Sequence, residues 1–157
     1  MDGKLNIGMK APDFIASDQN NNQIQLYDYL GKYIVIYFFP KAFTPGWTRE
    51  ACGFRDHFES FLKQDVVVLG VSYDSPEKLR SFQVKHELPF LLISDKTKKI
   101  SKLYGTNGFF FPKRKTILIN PEGNIEYIFD KVNIDTHPKD IMKLIQLKRD
   151  PMESNNN

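Results

Sequence analysis

Seven consecutive residues, Tyr33-Ile34-Val35-Ile36-Tyr37-Phe38-Phe39, are all β-branched or aromatic. The run shows neither helical periodicity nor strand-like alternation of apolar and polar residues. It therefore reads as a strand buried on both faces of a sheet, which obliges the rest of the chain to cover it from two sides. Val66 to Tyr73 is a second such strand. Between the two, Trp47, Ala51, Phe54, Phe58, Phe61 and Leu62 recur mostly at three- and four-residue steps, which predicts one amphipathic helix from Gly46 to Leu62 with Cys52 off its apolar stripe.

Turn chemistry supplies the remaining elements. Asp18-Gln19-Asn20-Asn21-Asn22 marks a turn before the alternating Gln23-Ile24-Gln25-Leu26, so an N-terminal β-hairpin is expected. Asp74-Ser75-Pro76-Glu77 starts a helix, with Ser75 as cap and Pro76 in the first turn, running to about His86. Phe90 to Ile93 reads as a strand, and Lys96 to Tyr104 as a short helix ended by Gly105. Thr116–Asn120 and Asn124–Phe129 form a hairpin about Pro121-Glu122-Gly123, followed by a helix over Pro138–Lys148. This order predicts an α/β fold with a central sheet flanked by helices. One domain is expected over residues 1–150, with a polar, disordered tail over residues 151–157.

A net charge of +3, from 22 basic against 19 acidic residues, is too small to demand nucleic acid as a partner. The tightest basic cluster, Lys113-Arg114-Lys115, reads as a solvated loop. With one cysteine there is no internal disulfide and no multi-thiolate metal site. His57, His86 and His137 lack ligand spacing and are expected at the surface or partly packed, so no metal and no cofactor is predicted. No apolar run is long enough to span a bilayer and no secretory signal is visible, so the expectation is no membrane partner and a cytoplasmic location.

The segment Phe39-Pro40-Lys41-Ala42-Phe43-Thr44-Pro45-Gly46-Trp47-Thr48-Arg49-Glu50-Ala51-Cys52 resembles the active loop of peroxiredoxins, Pro-x-x-x-Thr-x-x-Cys. The later Glu-Ala-Cys narrows the resemblance to the bacterioferritin-comigratory, or Q-type, subfamily. Separate matches follow in order: Gly8-Met9-Lys10-Ala11-Pro12-Asp13-Phe14, Gly70-Val71-Ser72 and Arg114-Lys115-Thr116-Ile117-Leu118-Ile119-Asn120. The chain departs from the pattern at one decisive place, because Trp47 stands where the peroxide-reducing cysteine belongs.

The resemblance implies a thioredoxin-like fold with a central mixed sheet, and a thiol peroxidase reducing hydrogen peroxide and organic hydroperoxides. Thioredoxin or a similar dithiol would be the donor, and the chain a monomer. It assigns a shielding role to Pro40, donors to the departing oxygen to Thr44 and Arg114, the orienting of Arg114 to Glu50, and the resolving position to Cys52. The chemistry is coherent: a thiolate in the first turn of a helix is stabilised by unpaired N–H groups and the helix dipole, and prearranged donors stabilise charge developing on the leaving oxygen. Tryptophan is no nucleophile toward peroxide. Direct catalysis by the family route is therefore expected to be absent, and two other readings stay open: a redox-inert binding or chaperone-like module, and a weak one-cysteine thiol enzyme using Cys52.

Overall fold

The computed structural model describes residues 5–39, 41–42, 45–110, 112–130 and 137–149. The expected tail over residues 151–157 lies outside them. The first hairpin pairs β1 (Ile15–Asp18) with β2 (Gln23–Gln25), closed by the Asp18 carboxylate, which accepts from the N–H groups of Asn20 and Asn22 at 2.8 and 2.9 Å. A 3-10 turn at Leu26–Tyr29 leads to β3 (Tyr33–Phe38), all six residues of which are buried. β3 lies parallel to β4 (Val66–Ser72), which lies parallel to β5 (Leu91–Ser94). On the other flank β6 (Lys115–Ile119) and β7 (Ile125–Phe129) add antiparallel, giving a seven-stranded mixed sheet in the order β2-β1-β5-β4-β3-β6-β7.

Because successive side chains on a strand point to opposite faces, β3 and Phe39 beyond it feed two cores. Tyr33, Val35, Tyr37 and Phe39 join a core that includes Ala51, Phe54, Phe61, Leu79, Phe82, Ile141 and Ile145. Ile34, Ile36 and Phe38 face the opposite way, into a core with Phe14, Leu26, Ile100 and Tyr104. The first core is covered by α1 (Pro45–Asp56), α2 (Phe58–Lys63), α3 (Pro76–His86) and α5 (His137–Arg149). The second is covered by the hairpin region and α4 (Lys99–Leu103). The double cover that the Tyr33–Phe39 run demands is thus present.

Two helix boundaries differ from the sequence expectation. The stripe from Gly46 to Leu62 is carried by two helices, broken at His57, whose backbone leaves the helical region (φ −106°, ψ 8°). Its N–H is shared between the carbonyls of Gly53 and Phe54, each at 3.3 Å, and its ring Nδ1 donates to Gly53 O at 3.0 Å. The side chain thereby competes for a carbonyl that the helix ladder would use, and the spacing of Phe54, Phe58 and Phe61 does not register the break. Leu62 is 63% exposed and leaves the stripe. The short helix begins at Lys99 rather than Lys96, because the Asp95 carboxylate takes the N–H groups of Ile100 and Ser101 at 3.0 and 2.8 Å while Lys98 turns through the left-handed region (φ 63°). The Ser75 cap is as expected, its hydroxyl accepting from Lys78 N at 3.3 Å.

Candidate active site

The parallel strands β3, β4 and β5 all end on one side, where connecting loops of such sheets gather functional groups. Phe39 N donates to Val71 O at 3.0 Å, so β3 stays tied to β4 until the chain enters the loop. The loop is then held by Asp74. Its carboxylate accepts from Ala42 N at 2.8 Å and from Ser72 Oγ at 2.9 Å, and Lys78 Nζ lies 3.6 Å from its other oxygen. Ser94 Oγ donates to Asp74 O at 2.6 Å, so the ends of β4 and β5 brace the same residue. Sequence reasoning took Asp74 only as part of a helix start. The signal for its second role is a buried acceptor, and nothing local reveals that its partner lies 32 residues earlier.

α1 starts at Pro45 and is helical through Asp56. Its attachment to the sheet is aromatic: the Phe54 ring stacks on Tyr37 at 4.7 Å and 16°, and Phe90 meets both edge-on. Tyr37 in turn lies over Gly70 of β4, where an added Cβ would come within 2.8 Å of Tyr37 Cζ and Oη. Only glycine lets this ring lie under α1. Trp47 is the third residue of α1 and so belongs to the first turn, whose N–H groups have no partner within the helix. Cys52 is in the same helix, further in, and is half-buried.

Arg114 is partly buried and immediately precedes β6. Phe38 pairs with Lys115, so continuing that antiparallel register by one step sets Arg114 opposite Phe39, at the mouth of the loop. Arg114 and the start of α1 are thereby brought to the same end of the sheet from positions nearly seventy residues apart in the chain. Pro40 and Thr44, and the side chains of Trp47 and Glu50, lie outside the described residues.

One histidine corrects the sequence expectation. His137 is 2% exposed, with Nε2 2.9 Å from Thr116 Oγ1 and its ring edge-on to Phe54 at 5.8 Å and Phe129 at 5.0 Å. Burial lowers its pKa to about 4, with Asp140 pulling weakly the other way. The expected surface or partly packed placement fails because Thr116 of β6 and Phe129 of β7 close over the first residue of α5. His57 and His86 are partly packed, as expected. His86 is lowered from its ordinary value by burial and by the neighbouring Lys85 and Arg55.

The AhpC/TSA family model matches residues 7–128. The chain is 39% identical over 150 residues to the peroxiredoxin Bcp of Bacillus subtilis (strain 168), covering 90% of this chain and 96% of that protein. It is 40% identical over 141 residues to Escherichia coli K12 peroxiredoxin Bcp, covering 85% and 90%. The fold superposes on a structure of Xanthomonas campestris bacterioferritin comigratory protein with a TM-score of 0.84 at 26% identity, covering 91% and 99%. With its mixed thioredoxin-like sheet and these relatives over most of its length, the chain belongs to the AhpC/TSA family and carries the thiol peroxidase scaffold of the Bcp/PrxQ peroxiredoxins.

Proposed function

We propose that this chain is a Q-type peroxiredoxin whose peroxide chemistry is switched off at its nucleophile. The observation that carries the reading is Trp47 in the first turn of α1, where the family pattern has its reactive cysteine, in a chain whose single cysteine is Cys52. Peroxide reduction needs a thiolate to attack one oxygen, and an indole offers no such lone pair. The parent activity is reduction of hydrogen peroxide and organic hydroperoxides to water and alcohols, with thioredoxin or a similar dithiol as donor. In support, the Xanthomonas campestris relative is described as having alkyl peroxide reduction activity. Monomeric state and cytoplasmic location are part of the same reading.

Within this reading Pro40 shields position 47, Thr44 and Arg114 donate to the peroxide, Glu50 orients Arg114, and Cys52 keeps the resolving position. Arg114 at the mouth of the loop and the Asp74 anchor on Ala42 support it, since both belong to an arrangement that holds donors around the start of α1. A weak enzyme working through Cys52 is disfavoured by its place inside α1, beyond the first turn where the dipole acts. Positions 47 and 52 of an intact helix differ by about 7.5 Å of rise and about 140° of rotation, so a disulfide between them requires α1 to unwind.

The test is peroxide consumption coupled to thioredoxin, thioredoxin reductase and NADPH. The chain itself should turn over no faster than the protein-free blank, while Trp47→Cys should gain activity and, after peroxide treatment, a disulfide to Cys52 detectable by mass spectrometry. Robust turnover by the unaltered chain refutes the disabled nucleophile. An active Trp47→Cys variant lacking that disulfide refutes the resolving role alone.

A further inference from the structure

Phe109 and Phe110 are each 80% exposed, in a chain whose other described phenylalanines are buried or partly packed. Their rings meet edge-on at 4.7 Å and 84°. They are held outward by a fastened loop. Thr106 O accepts from Gly108 N at 3.0 Å and from Lys113 N at 2.7 Å, which ties the loop's two ends together. Tyr73 Oη donates to Gly108 O at 3.0 Å, and Lys98 Nζ donates to Phe109 O at 2.8 Å. The rings are thus presented in advance, with little ordering left to occur on contact.

The surrounding charge is one-sided. From Lys96 to Lys115 the chain has seven basic residues (Lys96, Lys98, Lys99, Lys102, Lys113, Arg114 and Lys115) and no Asp or Glu. Taking that +7 from the chain's +3 leaves −4 for all the rest, so this segment carries the whole positive surplus of the chain. Lys115 is partly neutralised by Asp130 at 3.2 Å, and Lys96, Lys99, Lys102 and Lys113 are exposed.

We propose, against the sequence expectation of no membrane partner, that Phe109 and Phe110, with Lys98 beside them and the exposed lysines of the same basic segment, form a docking surface for an anionic lipid bilayer. Projecting rings with a lysine beside them, in a segment of basic residues, suit an interface that is apolar below and negatively charged above, and a bilayer requires no shape-matched pocket for them. Single-stranded nucleic acid also combines negative charge with aromatic stacking, but it needs open ring faces. Here the rings are crossed, and the Lys98 ammonium lies 5.6 Å from the Phe109 centroid, over a ring face. An acidic protein would satisfy the lysines but would need a cavity for two crossed rings. The contact is a surface one, for among the described residues no helix is long and apolar enough to cross a membrane.

The experiment is co-sedimentation of the full chain with vesicles of phosphatidylcholine alone and of phosphatidylcholine with about 30% phosphatidylserine, at low and high salt. Binding is expected to the serine-containing vesicles only, weakening steeply with salt. Phe109→Ser with Phe110→Ser should weaken it by about tenfold or more, and Lys99→Gln with Lys102→Gln by about 25-fold, at about fivefold per lysine. Thermal melts verify that each variant folds; all four positions are exposed. Failure to sediment with the anionic vesicles overturns the proposal, whether or not oligothymidine or polyglutamate is bound instead. So does an affinity unchanged by the paired phenylalanine substitutions.

Discussion

Acidification should unfold this protein partly through one side chain. His137 is packed between Phe54 and Phe129, shares its Nε2 hydrogen bond with Thr116, and is held to a pKa of about 4 by burial. In the unfolded chain it titrates near 6.5. Between these values the unfolded state binds a proton that the folded state does not, so stability rises with pH across the window. The contribution is fully present above about 6.5, is lost progressively as pH falls toward about 4, and is constant below that. The gap corresponds to about 3 kcal/mol, a large part of the 5–15 kcal/mol that typically holds a domain together. Urea unfolding from about pH 7.5 to about pH 4.5, on the chain and on His137→Gln, isolates the effect by difference. Groups that do not interact with His137 contribute alike to both proteins and cancel. The variant should start less stable at neutral pH and lose stability more slowly, so that the two curves converge on acidification. Parallel curves between about pH 6.5 and 4.5 would refute the buried neutral imidazole.

Three further outcomes follow from the packing around α1. Gly70→Ala should destabilise by about 1–3 kcal/mol in urea melts, since its Cβ would meet the Tyr37 ring at 2.8 Å and that ring is fixed beneath Phe54; a neutral result would show that the aromatic stack yields. Asp74→Ala leaves the buried Ala42 N–H and the Ser72 hydroxyl without their acceptor, and should cost about 1–3 kcal/mol with hydrogen exchange at Ala42 accelerated more than at β3. Equal acceleration everywhere would mean that Asp74 acts on global stability alone. On the proposed reading, in which the start of α1 is shaped for a thiol and a small peroxide, an indole overpacks it and amide exchange from Gly46 to Cys52 should be faster in this chain than in reduced Trp47→Cys; equal or slower exchange would show that the ring is accommodated.

Much of the scaffold can be read directly from residue order. Tyr33–Phe39 is apolar on both faces, so it had to be central, and the Ser75-Pro76 and Pro121-Glu122-Gly123 signals act within a few residues of where they stand. The family was likewise visible, since a motif is a local pattern. The break at His57 was not, because it depends on a side chain reaching one turn back for the Gly53 carbonyl while the apolar spacing continues. Nor was the burial of His137, which is imposed by Thr116, Phe54 and Phe129 from three other elements. The sequence by itself determined which strands lie inside and that position 47 holds an indole rather than a thiol. The tertiary structure alone decided that Asp74 holds Ala42, that β-register delivers Arg114 to the loop, and that Phe109 and Phe110 are left in solvent. Those outcomes rest on contacts between residues tens of positions apart, or on the absence of cover, and neither is written in any local pattern.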